Sequence, residues 1–283
     1  MLALKTIILS FIFASNIFAI NKNNNMTKRI QYKDGQYISY MEYGNPDGFP
    51  MLVQHGMIAS IKNDTLFTNH FKETARIICV ARPGYGNSSP IEMQSFKDWG
   101  EIVQYIIKEL MLTECDIFSA SAGATYGYAI AHVCPEIVRN IYVFSGMPAY
   151  YDPEVQSNWP YPIEKNMPQE VAEKITYEIF FANAPKEMLE NIDIKDSMNN
   201  NCYGPAQDLK IRFEDWGVDL SGIKAKVYMQ HSKQDEVIPY KTAERTAFLL
   251  PDCSFRLLEK GSHFTPEAYQ LFIEEVIIPN IKK

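Results

Sequence analysis

The chain has only 5 histidines and 5 cysteines in 283 residues, and each scarcity removes a class of chemistry. Cys79, Cys115, Cys134, Cys202 and Cys253 have neither the paired spacing of a zinc ligand set nor the density of a disulfide framework. Three of them lie in apolar runs, where a buried free thiol is the expectation. No metal and no cofactor is therefore expected. No internal repeat is present, which removes solenoids and propellers. Positive charge is also short: 27 Lys plus Arg against 34 Asp plus Glu give a formal charge of -7, so no basic patch recommends nucleic acid as a partner.

One uncharged apolar run, Thr6 to Ala19, follows Lys5 and precedes the polar Asn21 to Asn25. It reads as a secretory signal ending at Ala19, which predicts export to a periplasmic or extracellular space. A cytoplasmic enzyme starting at Met26 is the alternative. A membrane becomes a partner only if the segment stays uncleaved. Residues 1-25 are set apart from the fold on either reading.

What remains is ample for a large core, since 46% of the residues are apolar. Two β-rich runs between Arg29 and Tyr43 flank Asp34-Gly35, a hairpin signal, and Asn45 to Gly48 makes the next turn. Buried-strand runs follow from Met51, from Arg76 to Ala81, from Cys115, from Ile141 to Ser145, from Lys226 to His231 and from Ser254 to Glu259. Helical patterns alternate with them. The clearest runs from Ser95 to Met111, with Trp99, Ile102, Val103, Ile106, Ile107 and Leu110 on one face. This alternation predicts an α/β protein with a mostly parallel, doubly wound sheet covered on both faces, and ligand sites beyond the carboxyl ends of its strands.

His55, Arg82, Ser121, Asp235 and His263 all fall at such ends. Ser121 sits where a strand breaks sharply into a small-residue helix, between Ser119 and Gly123. So tight a turn needs small residues two positions either side of the serine. The pattern is G-x-S-x-G with Ser119 in the first glycine's place. Ser121, Asp235 and His263 follow one another in the order Ser, Asp, His. Rival readings are Ser121 as a plain helix cap and Glu236 as the acid. Among the other histidines, His70 and His132 lie in helical patterns and His231 ends a strand, so structural roles are expected for them.

Taken in order, Tyr43 to Gly48, Gln54-His-Gly56, Arg82-Pro-Gly-Tyr-Gly-Asn-Ser88, Ser119 to Gly123, Asp235-Glu-Val-Ile-Pro239 and Gly261-Ser-His-Phe264 resemble the motifs of the α/β-hydrolase fold superfamily, in its serine-nucleophile branch. The resemblance covers nearly all of residues 29 to 280. Departures are Ser119 for glycine, Ala81 where relatives often carry aspartate, and Ser232 where they often carry glycine. It implies Ser121 as nucleophile, His263 as proton carrier and Asp235 as the group that orients the imidazole. It also implies an oxyanion hole from the backbone N-H groups of Met57 and Ala122, with His55 and Gly56 shaping the loop; one such donor is typically worth about 3 kcal/mol.

Between Met147 and Gly222 lie 14 acidic and 6 basic side chains, a net of -8 that leaves +1 for the rest of the chain. The resemblance makes residues 147-222 a helical cap inserted after the sixth strand, with 26-146 and 223-283 forming the core. Tyr150, Tyr151, Trp159, Tyr161, Tyr177, Phe180 and Phe181 are candidate lining for an apolar acyl pocket. The negative charge argues for an uncharged small to medium ester as the small-molecule partner, cleaved through an acyl-enzyme. Amide, lactone or carbon-carbon bond hydrolysis, cofactor-free peroxidase chemistry and a non-catalytic ligand-binding protein are the alternatives.

Overall fold

The computed structural model describes residues 26-281, so the leader-like segment 1-25 lies outside the described residues. Lys28–Gln31 (β1) and Tyr37–Gly44 (β2) form the expected antiparallel hairpin. Asp34 and Gly35 in its turn take φ of 55° and 76°, a left-handed backbone that aspartate tolerates and glycine adopts freely. The chain then lays down Phe49–Gln54 (β3), Ala75–Val80 (β4), Cys115–Ala120 (β5), Val138–Phe144 (β6), Lys226–Ser232 (β7) and Cys253–Leu258 (β8).

The eight strands form one sheet in the order β1-β2-β4-β3-β5-β6-β7-β8. β2 is antiparallel to both neighbours, and the remaining pairs are parallel. Winding goes outward from β3 to β4 and then returns across β3 to β5. That reversal opens a crevice at the carboxyl ends of β3 and β5, where an open α/β sheet takes its ligand.

Side-chain alternation along the strands divides the core. Leu52, Ile78, Val80 and Ile117 enter one cluster, while Met51, Val53, Ile77, Cys79 and Phe118 enter the other. The first is covered by Phe96–Glu109 (α2), Gly123–Val133 (α3) and Tyr240–Phe248 (α8), through Trp99, Tyr126 and Ala247 among others. The second is covered by Asn69–Thr74 (α1) and Pro266–Phe272 (α9), through Phe71, Tyr269 and Phe272. Both faces of the sheet are thus closed by apolar contact, which is why its strands read as continuous apolar runs.

Between β6 and β7 the alternation is interrupted by Pro153–Asn158 (α4), Gln169–Phe180 (α5), Lys186–Leu189 (α6) and Ile192–Ile211 (α7). α7 is two helical pieces, because Asn200, Asn201 and Cys202 in its middle take φ of 52°, 58° and 64°. Its second piece carries Asp208, which faces the end of β4.

Candidate active site

β5 stops at Ala120 and α3 starts at Gly123, so two residues reverse the chain. Ser121 takes φ of 50°, a conformation that costs a residue with a Cβ roughly 1 kcal/mol. β6 and the segment after it hold that strain: Ser121 N-H donates to Phe144 C=O at 3.0 Å, and Ser121 C=O accepts from Met147 N-H at 3.0 Å. A Cβ at Gly123 would lie 2.2 Å from the Gln54 carbonyl oxygen, so β3 and the helix start can meet only with glycine there. The Ser119 hydroxyl is accommodated elsewhere. It points at Gly127 on α3, where a Cβ would lie 2.4 Å from the oxygen. Buried, the hydroxyl has no hydrogen-bond partner among the described residues.

Ser121 Oγ lies 3.0 Å from His263 Nε2, and His263 Nδ1 lies 2.8 Å from Asp235 Oδ2. The structure therefore brings together all three expected side chains from the ends of β5, β7 and β8. Asp235 Oδ1 accepts from the N-H groups of Val237 at 2.9 Å and Ile238 at 2.8 Å. Burial opposes ionisation of Asp235, but the His263 ring, His231 and the Ile238 N-H outweigh it and lower its pKa. His231 Nε2 lies 2.9 Å from Ile238 C=O and 3.2 Å from Asp235 Oδ2. Burial lowers the His231 pKa despite that carboxylate, so this ring stays neutral and donates. Glu236, the rival acid, instead accepts the His263 backbone N-H at 3.1 Å.

The loop after β3 is held through its carbonyls. Arg82 Nη1 donates to His55 C=O at 2.6 Å, Arg82 Nη2 donates to Gly56 C=O at 2.8 Å, and Tyr85 OH donates to Met57 C=O at 2.7 Å. In a trans peptide the N-H points opposite to the preceding C=O, so tying Gly56 C=O to Arg82 turns Met57 N-H the other way. Ala122 precedes the first turn of α3, where helix N-H groups have no intrahelical acceptor. His55 is neutral: burial and the Arg82 charge push its pKa well down. The Arg82 N-H donates to His55 Nε2 at 3.3 Å, so the ring proton sits on Nδ1, which reaches Gly56 C=O at 2.8 Å. Both ring nitrogens of His55 are thus occupied by backbone contacts.

Arg82 is fully buried and is itself held by Asp208 of α7, with Nη2 to Oδ2 at 2.6 Å. Tyr126 donates to Asp208, the Tyr85 hydroxyl shares its one proton between Met57 C=O and Asp208 Oδ2 at 2.8 Å, and both rings lie under the guanidinium at 4.9 and 4.3 Å. Burial works against the Arg82 charge, but Asp208 prevails and keeps it protonated. The sequence placed Arg82 at a strand end but gave no sign of Asp208, whose position on a helix carries no spacing signal.

Two cavities meet at Ser121. One, of about 170 Å³, is bordered by His55, Gly56, His263, Phe264 and Asp193. The other, of about 130 Å³, is bordered by Met57, Tyr150, Trp159, Tyr161, Phe180 and Arg212. Four of the seven candidate aromatics thus line the second cavity. Tyr151 instead packs edge-on against Trp216, Tyr177 is exposed, and Phe181 joins a separate cluster with Ile194 and Cys202. Arg212 was also missed, although it is the single arginine between 147 and 222. Among the described residues no group of three or more His, Cys, Asp or Glu side chains is placed to hold a metal ion.

No protein-family model matches the chain. Proline iminopeptidases from two Xylella fastidiosa strains are 29% and 28% identical to it over 118 residues, 39% of this chain. That match spans 38% of their own length. Among solved structures, a hydrolase from Pseudomonas aeruginosa superposes with a TM-score of 0.68 at 14% identity, covering 93% of this chain and 100% of that one. An esterase from Exiguobacterium antarcticum gives 0.66 at 20% identity, over 91% and 100%. An α/β-hydrolase fold protein from Chitinophaga pinensis gives 0.61 at 18% identity, over 90% and 95%.

Proposed function

The chain has the α/β-hydrolase fold, and from that premise we propose that it is a serine hydrolase that cleaves small esters through an acyl-enzyme. The observation that carries this reading is the continuous relay from Ser121 Oγ through His263 to Asp235, at 3.0 and 2.8 Å. Ser121 Oγ attacks the ester carbonyl and its proton passes to His263 Nε2. The Met57 and Ala122 N-H groups receive the oxyanion. Collapse breaks the carbon-oxygen bond, and the alcohol leaves with the proton from His263. Water then attacks the acyl-enzyme, again giving its proton to His263, and releases the acid and free Ser121.

Direction in the site follows from that proton. The leaving alcohol must depart where His263 can protonate it, so it occupies the cavity that His263 borders. The acyl group occupies the cavity bordered by Met57 and Tyr150. Residues 147-222, which supply Tyr150, Trp159, Tyr161 and Phe180 to it, act as the cap that selects the acyl group.

A panel of chromogenic esters of graded acyl length tests the reading. Turnover of short acyl esters that disappears in Ser121→Ala is the expected result, and equal turnover by the variant would sink it. The two iminopeptidases favour a second reading, hydrolysis of an amide after an N-terminal proline. Such a substrate carries a charged secondary amine next to the scissile carbonyl, which would lie in the acyl cavity beside the Arg212 cation. That repulsion favours the ester, and a prolyl anilide in the same panel separates the two.

A further inference from the structure

Two residues that border the acyl cavity each carry a hydrogen-bond donor with nothing to donate to. Arg212 Nε and Trp159 Nε1 are both sealed from solvent, and neither has a hydrogen-bond partner among the described residues. Both residues border the same cavity beside Ser121. A buried donor left unpaired is destabilising, the more so when charged, so a fold rarely keeps two in one place without an acceptor to meet them. Their surroundings supply none. No carboxylate of the described residues lies within ion-pair distance of the Arg212 guanidinium, while the fully buried Arg82 is paired with Asp208. The Arg212 guanidinium rests on the Phe213 ring at 4.5 Å, and Trp159 is pinned between Tyr150 and Tyr161, with ring centroids 4.8 and 5.2 Å away. These donors are held in position by packing. The Tyr150 hydroxyl, which borders the same cavity, meets the Met147 sulfur at 3.1 Å.

The geometry points to a carboxylate-binding subsite formed by Arg212 and Trp159, so that the preferred substrate is an ester whose acyl group ends in a carboxylate. This rests on the serine-hydrolase reading for the ester, but not for the carboxylate. A planar carboxylate suits the guanidinium fork and leaves a lone pair for an indole N-H. Succinyl and glutaryl groups are among the shortest common acyl chains that end in a carboxylate, and the cavity of about 130 Å³ beside Ser121 is where such a chain would lie. Burial lowers the Arg212 pKa, with Tyr150 and the exposed Glu164 acting the other way, and a bound anion would relieve the unpaired charge. The net -8 of residues 147-222 argued for an uncharged substrate. Net charge is a poor guide at contact distance: exposed acids are screened over about 8–10 Å, whereas Arg212 faces the cavity directly.

Three measurements test the subsite. Wild-type kcat/KM for methyl hydrogen succinate and methyl hydrogen glutarate is compared with that for neutral methyl esters of the same chain length, scored by chromatography of the released acid. The half-esters are expected to be preferred by about tenfold or more, and Arg212→Met to reduce that preference by about ten- to a hundredfold. Trp159→Phe, which keeps the ring packing, is expected to reduce it a few-fold. Calorimetry with glutarate supplies a readout independent of turnover: binding by Ser121→Ala and loss of binding in Ser121→Ala/Arg212→Met. Glutarate binding without any ester turnover would retain the subsite and reject the serine-hydrolase reading. Ester turnover with neutral esters preferred, or glutarate binding unaffected by Arg212→Met, would overturn the subsite and leave that reading standing.

Discussion

Asp208 on α7 holds the Arg82 guanidinium at 2.6 Å, and Arg82 in turn holds the carbonyls of His55 and Gly56. The segment inserted between β6 and β7 is therefore tied to the loop that carries Met57 N-H. Removing the negative charge leaves a buried guanidinium without its counter-ion, which costs about 3–5 kcal/mol when a buried pair is broken. Asp208→Asn is expected to lower unfolding free energy by an amount of that order. In the fraction that folds, kcat should fall about tenfold while KM changes less if the loop donor serves the transition state as proposed. Urea unfolding with steady-state kinetics checks both; a variant with wild-type kcat would separate the ion pair from the oxyanion loop.

Ser119 and Gly127 form a matched pair across the turn. The buried Ser119 hydroxyl has no partner, so Ser119→Ala is expected to stabilise by about 1 kcal/mol. Gly127→Ala should destabilise when Ser119 is present, since the new methyl would lie 2.4 Å from its oxygen. In the Ser119→Ala background the same change should become neutral or stabilising, as alanine is the better helix former by about 1 kcal/mol. A double-mutant cycle by thermal melting gives the coupling, and additive effects would contradict the pairing.

Asp235 and Glu236 have different tasks at His263. Asp235→Asn is expected to reduce kcat by on the order of a thousandfold or more, because the imidazole loses its orienting carboxylate. Glu236→Gln keeps an oxygen for the His263 backbone N-H and should cost less than about tenfold. The reverse ranking in ester turnover would make Glu236 the acid.

Asp193 is a pH-sensitive latch between α7 and the loop at residues 60-63. Its carboxylate accepts Ser60 N-H at 2.7 Å and Asn63 Nδ2 at 2.8 Å, and burial pushes its pKa up to about 6, helped by Asp196. A carboxyl with a raised folded-state pKa stabilises most when protonated. Its contribution is complete below the unfolded value near 4 and is lost as pH rises through about 6. Between pH 5 and pH 7, stability should fall by on the order of 1 kcal/mol through this group, and Asp193→Asn should remove that part of the slope. Urea melts across the range decide it; an unchanged slope in the variant would contradict the assignment.

Much of this was legible in the chain because it rests on local pattern. The apolar runs from Met51, Arg76 and Cys115 marked strands of the sheet, and the ends of β5, β7 and β8 gave Ser121, Asp235 and His263. What stayed hidden depends on contacts made far along the chain. Asp208 meets Arg82 across 126 residues. The break within α7 rests on three residues at positive φ with no glycine to announce them. Arg212 lies in a segment whose net charge suggested the opposite of its local field, since composition averages over exposed acids that face water.

The central claim is that Ser121 is the nucleophile, and an organophosphonate probe tests it without knowledge of the substrate. Intact-mass spectrometry of the treated wild type should show one adduct of the probe's mass, mapping to the peptide that contains Ser121, and none on Ser121→Ala. No adduct on the folded wild type, or equal labelling of the variant, would contradict it.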